Sequence, residues 1–256
     1  MDKRLINELE EREKNHYWHK TKRKIIKNVL IKADSPKKTT RPKTLLDIGC
    51  GAGINLSYFR HSFHCVGIEP DPTLAKQARY NSQTTIYQHS LPLDIPSLHN
   101  KFDCILLLDV LEHINNDLEA LKSIVPLLSK EGIIIINVPA LPILWSTHDR
   151  ITQHKRRYTQ QSLQRLINKA GLNTLNNNYW NSLAVPLIYL QRCIYYRHTP
   201  TNQYKLQTTL PKTRNSLYHR LLLMEYYITK PFKIPFGLSL LAVVNKKLHV
   251  ENLTEK

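Results

Sequence analysis

Leu45-Leu46-Asp47-Ile48-Gly49-Cys50-Gly51-Ala52-Gly53 is the stretch that decides the fold of this chain. Thr44 to Asp47 lead out of a polar, proline-containing segment and end on an acid, which reads as a buried strand. Three glycines at alternate positions follow, and glycine there permits positive φ and close approach of the backbone to a ligand. A helix can start after Gly53, with Leu56 and Phe59 on one side. Sixteen positions past Gly53, Glu69 closes a second apolar run, Cys65-Val66-Gly67-Ile68. A strand, a glycine turn, a helix, a strand and an acid make a nucleotide-type site, in which the acid accepts from ribose hydroxyls.

A dinucleotide fingerprint would put its third glycine at position 54, which is Ile54, and no Lys-Ser/Thr pair is present for a phosphate loop. The pattern is G-x-G-x-G. With Gly67-Ile68-Glu69-Pro70-Asp71, the segment Asp47 to Gly53 resembles the class I S-adenosylmethionine-dependent methyltransferases. That resemblance implies S-adenosyl-L-methionine as cofactor. It also implies a doubly wound, seven-stranded Rossmann-like α/β sheet whose last two strands form an antiparallel edge. An N-terminal helix and a helical insertion before the last strand would complete it. By the same resemblance, Gly49, Gly51 and Gly53 face the methionyl part, and Glu69 holds the ribose hydroxyls. Asp47 supports the loop or the cofactor's amino group, and Asp109 lies near the sulfonium end. The plain alternative for Asp109 is a helix cap.

The chain has 256 residues, 41% of them hydrophobic, enough for one domain with an insertion. A net charge of +17 implies attraction to polyanions, either nucleic acid or an anionic membrane face; a lysine-rich surface that aids solubility is the duller account. The cysteines Cys50, Cys65, Cys104 and Cys193 show no C-x-x-C spacing and read as reduced thiols. The N-terminus is charged, without an apolar core, and no run approaches the roughly 20 apolar residues that span a bilayer. The expected location is cytoplasmic, with peripheral association at the inner membrane face.

Residues 1–43 read as an N-terminal helix (2 to 31) and a solvated connector, 44–181 as the cofactor-binding core, 182–237 as a helical basic and aromatic insertion, and 238–256 as the last strand and tail. Strands are predicted at His64–Ile68, Thr84–Gln88, Phe102–Leu108, Ile133–Val138, 172–181 and Ser239–Asn245. Helices are predicted from Pro72 to about Tyr80, from 117 to about 128, and between a Thr159 cap and Gly171. His16-Tyr17-Trp18-His19 in the first helix suits either ordinary packing or a lid over the cofactor.

Ligands bind beyond the carboxyl ends of strands in such sheets. Asp109 to His113 and the segment His148-Asp149-Arg150-Ile151-Thr152-Gln153-His154-Lys155-Arg156-Arg157-Tyr158 are expected there. His113, with an imidazole suited to proton removal near neutral pH, is a candidate base. His148, Asp149 and His154 are further catalytic candidates. The pattern of that segment also resembles a bacterial subgroup of the superfamily. Its Arg156, Arg157 and Tyr158 suggest a grip on an anionic acceptor. The histidines and Asp149 read as hydrogen-bonded pairs rather than metal ligands. The expected activity is methyl transfer, by O-methylation, to a small or lipid-linked acceptor. RNA methylation is the second reading, supported by charge but by no base-methylation motif or catalytic-cysteine signature. A catalytically silent, cofactor-binding scaffold is the third.

Overall fold

The computed structural model describes residues 3–33, 43–93, 98, 101–195, 212–232 and 234–247. Most of the connector, Asp94, the polar middle of the insertion and the C-terminal tail lie outside the described residues.

The strands are β1 (Thr44–Ile48), β2 (His64–Ile68), β3 (Thr85–Tyr87), β4 (Phe102–Leu108), β5 (Leu128–Pro139), β6 (Leu172–Trp180) and β7 (Ser239–Lys246). They form one seven-stranded sheet in the order β3-β2-β1-β4-β5-β7-β6. Strands β1 to β5 pair in parallel, and β7 runs antiparallel to both β5 and β6. The doubly wound sheet with an antiparallel edge is therefore present. Central strands read as unbroken apolar runs because both faces are covered. Leu46, Ile48, Ile105 and Leu107 pack on one side, and Leu45, Cys104, Leu106 and Leu108 on the other.

The N-terminal expectation needs correction: residues 2 to 31 form two helices, α1 (Lys3–Asn15) and α2 (Tyr17–Ala33), not one. At the break, His16 Nδ1 accepts the Trp18 backbone N–H at 3.3 Å, competing with the helical ladder. The remaining helices are α3 (Ile54–Phe59), α4 (Pro72–Ser82), α5 (Asp117–Ile124), α6 (Thr147–Ile151), α7 (Gln160–Lys169), α8 (Val185–Tyr189) and α9 (Lys212–Thr229). Helix α4 starts at Pro72 as expected, with Asp71 capping the Thr73 and Leu74 N–H groups. Helix α5 stops at Ile124, short of 128, and a 3-10 turn holding Pro126 follows. Thr159 caps α7, and Gly171 follows its end at φ 77.

Helix α9 of the insertion packs along α2. Its Asn215 Oδ1 accepts from the Tyr17 backbone N–H at 2.6 Å, and Thr21 Oγ1 meets His219 Nδ1 at 2.8 Å. The insertion thus fixes the N-terminal helices over the carboxyl edge of the sheet.

Candidate active site

The glycine loop follows β1, with Gly49, Gly51 and Gly53 at φ 70, 56 and 80. All three lie in the left-handed region, where a side chain is strained. A Cβ at Gly53 would lie 2.8 Å from the Ala78 backbone, which cannot swing away. One at Gly51 would lie 2.5 Å from Glu13 Oε1.

Glu69 ends β2 with its carboxylate aimed at the loop. It accepts from Gly51 N at 2.9 Å and Asp71 N at 3.1 Å. Burial raises its pKa, against those two backbone hydrogen bonds. Asp47, near the end of β1 just before the loop, is buried with Oδ2 lacking a partner. Its pKa is pushed up to about 7, chiefly by burial, with Lys22 opposing.

Helix α1 crosses this loop. Glu10 Oε2 accepts from Gln77 of α4 at 2.7 Å, and the Glu13 carboxylate lies against Gly51 and faces the Ala52 backbone N–H. Burial pushes Glu13 up to about 7, while Lys22 and Arg23 pull the other way. A carboxylate belonging to the chain itself thus occupies the N–H cradle, which is the chemistry a loop of this kind offers an amino acid's carboxylate. The donor set suits the methionyl end of S-adenosylmethionine, and Glu69 suits its ribose.

Asp109 follows β4 at φ 61. It is not a helix cap: α5 is capped by Asn116. Its Oδ1 accepts from Asn137 Nδ2 at 2.7 Å, and its Oδ2 pairs with the buried Lys22 ammonium of α2. Lys22 also lies 4.3 Å from the Trp18 ring centre, and Trp18 stacks on Trp180. Trp180 Nε1 in turn donates to Asn137 Oδ1 at 3.0 Å, closing a ring of contacts around Asp109. Glu13, Lys22, Asn137 and Trp180 were missed in the sequence. Lys22 sits inside a basic run that reads as solvated charge, and only the neighbouring aromatic cluster hints at a buried face.

Beyond Asp109, the 3-10 turn Leu111–His113 brings Glu112 and His113 against the 146–158 segment. Lys155 N donates to the Glu112 carbonyl at 2.6 Å. The His113 and His154 rings meet edge to face with centres 4.9 Å apart, and His148 lies 6.4 Å from His154. His154 Nδ1 is 2.9 Å from Asp149 Oδ1. Asp149 is wholly buried; it also accepts from Ser146 N at 3.0 Å and Arg157 Nε at 2.7 Å, and Arg192 Nη1 lies 3.7 Å away. Burial acts to raise its pKa, but His154, Arg157 and Arg192 win and hold it well below the carboxylate range. Burial and Arg192 lower His148 to about 3. His113 is lowered too, by burial and then by His154. Glu112 is pushed far up by burial and by Asp109.

The expectation that Arg157 and Tyr158 grip an acceptor does not hold. Arg157 is buried between Asp149 and the Ala140 carbonyl, the latter at 2.8 Å. The Tyr158 hydroxyl is buried on Asp117 Oδ2 at 2.8 Å. Both residues fold the segment rather than face a ligand. Arg156 is only half-buried, but bridges Asp117 at 2.8 Å and the Asn115 carbonyl at 2.6 Å.

The sheet order and glycine loop define a class I methyltransferase, an enzyme that uses S-adenosylmethionine. Within that class the chain belongs to the family described as "Methyltransferase domain", which matches residues 17–177. Among solved structures, the TehB-like SAM-dependent methyltransferase of Corynebacterium glutamicum is similar at 18% identity. The two overlap over 86% of each chain, with a TM-score of 0.52. An S-adenosylmethionine-dependent methyltransferase of Clostridium acetobutylicum is similar at 12% identity over 89% of this chain and 91% of its own, with a TM-score of 0.54. One from Archaeoglobus fulgidus shares 13% identity over 88% and 94%, with a TM-score of 0.51. At these identities the likeness is one of fold. No curated protein matches the sequence.

Proposed function

We propose that the enzyme O-methylates a small or lipid-linked, anionic acceptor presented at a membrane face. S-adenosylmethionine supplies an activated methyl group when bound. The chain's residues hold donor and acceptor in line and take charge of the acceptor's proton. In this reading Gly49, Gly51, Gly53 and Glu69 hold the cofactor, with Asp47 supporting the loop and Asp109 at the sulfonium end. The observation that carries the hydroxyl acceptor is the cluster of His113, His148 and His154 just beyond Asp109. Burial lowers the pKa of His113 and of His148, so both imidazoles are neutral at physiological pH; His148, lowered to about 3, is too weak a base to take the proton, which leaves His113 as the acceptor of it. Asp149 orients His154, and Arg157 and Tyr158 position the segment. Of the Arg156-Arg157 pair, Arg156 is the half-buried one that remains suited to an anionic acceptor, beside the exposed Arg150 and Lys155.

The membrane part rests on α9. Leu217, Leu221, Met224 and Ile228 follow i, i+4, i+7, i+11 spacing and are 42–59% exposed, while Leu222 and Tyr226 of the same helix are buried against the body. Leu183, Leu187 and Leu190, around α8, are exposed as well. Apolar stripes on a strongly basic chain suit an anionic lipid surface. Among the described residues no helix is long and apolar enough to cross a membrane. The subgroup suggested by the His-Asp…His-x-Arg-Arg-Tyr segment belongs to this proposal as well.

Labelled S-adenosylmethionine offered to cell extract, then separated into lipid, small-molecule and RNA fractions, tests the acceptor. Label in the lipid or small-molecule fraction, released by ether-cleaving chemistry, is expected; label in RNA overturns the reading in favour of its nearest rival. Flotation with anionic vesicles tests the surface. Wild type should float at low salt and Leu221→Ser/Met224→Ser should not; a wild type that never floats removes the membrane.

A further inference from the structure

Glu112 is the least explained residue of this molecule. It is 1% exposed, yet neither carboxylate oxygen has a hydrogen-bond partner. A buried carboxylate left without donors is costly, and such groups are paired or bind metal. What faces it is a pair of imidazoles: one ligand atom each from Glu112, His113 and His154 lie within 4.8 Å of one another.

The two imidazoles are already oriented from behind. His154 Nδ1 is engaged by Asp149, itself fixed by Arg157 and the Ser146 N–H. The Gln153 backbone lies beside the His113 ring, and Gln153 holds φ 59. A histidine whose one nitrogen is held by a carboxylate or a carbonyl presents the other as a lone pair in a fixed direction, the supporting arrangement of metal-ligating histidines. Two histidines and a carboxylate are the donor set of three-ligand catalytic sites that leave a position open.

We infer that Glu112, His113 and His154 form a binding site for one divalent first-row transition-metal ion, with Asp149 and the Gln153 backbone as its supporting shell. Donors around one ion at about 2.1 Å lie no more than about 4.2 Å apart, so small side-chain rotations complete the set. The ion explains what the protein alone does not: a buried carboxylate with no donor. Its open position suits an acceptor oxygen, whose proton a cation makes easier to lose. The inference rests on the acceptor-end reading above, and the ion would then do through His113 and His154 what those imidazoles would otherwise do alone.

Co2+ is the probe, because its visible absorption reports coordination directly. Metal-stripped wild type should take up one Co2+ per chain with intense visible bands. Glu112→Gln and His154→Ala should each weaken uptake by about 100-fold or more, and Asp149→Asn by about 10- to 100-fold. The chain has 12 histidines, so His61→Ala and His64→Ala, at exposed positions, serve as controls and should bind as wild type. Circular dichroism selects folded variants. A folded wild type that takes up no Co2+, or uptake unchanged in both Glu112→Gln and His154→Ala, overturns the site. Titrating S-adenosylmethionine into the same samples separates this failure from that of the methyltransferase reading, since cofactor binding without Co2+ uptake removes only the metal.

Discussion

The two halves of the site are built differently. The cofactor half is backbone: three glycines of one loop and the N–H groups of Gly51, Ala52 and Asp71 facing carboxylates. The acceptor half is side chains: Asp149 gathers His154, Arg157 and Arg192 in the interior and so folds the segment that carries them. A backbone site separates binding from stability, because the sheet holds the loop whether or not a ligand-facing side chain is present. A side-chain site joins the two, because removing one ion uncovers the others.

The sharpest way to break this contrast is Asp149→Ala. It leaves the buried Arg157 guanidinium without its carboxylate, which costs about 3–5 kcal/mol of folding stability. Urea unfolding should show a lowered midpoint at unchanged slope, with S-adenosylmethionine affinity of the folded fraction near wild type. A stability loss below about 1 kcal/mol would mean that the acceptor segment does not depend on its ion network. On the other half, Glu69→Ala removes a charged acceptor from two ribose hydroxyls. Calorimetry should show cofactor binding weakened by about 2–4 kcal/mol, a factor of about 30 to 900. Stability should move by no more than about 1–2 kcal/mol, through the lost Gly51 and Asp71 hydrogen bonds. Cofactor binding unaffected by Glu69→Ala would place the ribose elsewhere.

The same difference decided what could be read from sequence. The order strand, glycine loop, helix, strand, acid is local, and the phase of each element follows from apolar runs and breakers, so β1, β2 and β4 fall where predicted. Glu69 could be placed because its distance from Gly53 along the chain is fixed by one helix and one strand. Lys22 could not: nothing near it in sequence says that Asp109, just past β4 and 87 positions away, will accept its charge. Arg157 and Tyr158 fail for the same reason. A basic pair beside histidines has the sequence of a ligand grip, and only the fold reveals that Asp149 and Asp117 already hold them. Glu112 lies within the Asp109 to His113 stretch expected at the site, but its missing partners are a property of three-dimensional packing.

The smallest effect expected is on the lid over the backbone half. Glu13 seats α1 on the glycine loop with its pKa raised from 4.5 to about 7. A carboxyl that binds its proton more tightly in the closed form favours closure at low pH. That contribution is full below 4.5 and is lost as pH rises through about 7. Cofactor must displace the Glu13 carboxylate from Ala52 N–H, so its apparent affinity should rise between pH 6 and pH 8. Linkage sets an upper limit of about tenfold, and solvent screening of a partly exposed group reduces this to a few-fold. Glu13→Gln cannot titrate and should flatten the profile while leaving α1 in place. Calorimetric titrations of both proteins across that range decide the matter. A wild-type affinity that is flat or falls with pH, or a slope that survives in Glu13→Gln, would mean that α1 does not compete with the cofactor for the loop, and that Glu13 is part of the backbone half rather than its cover.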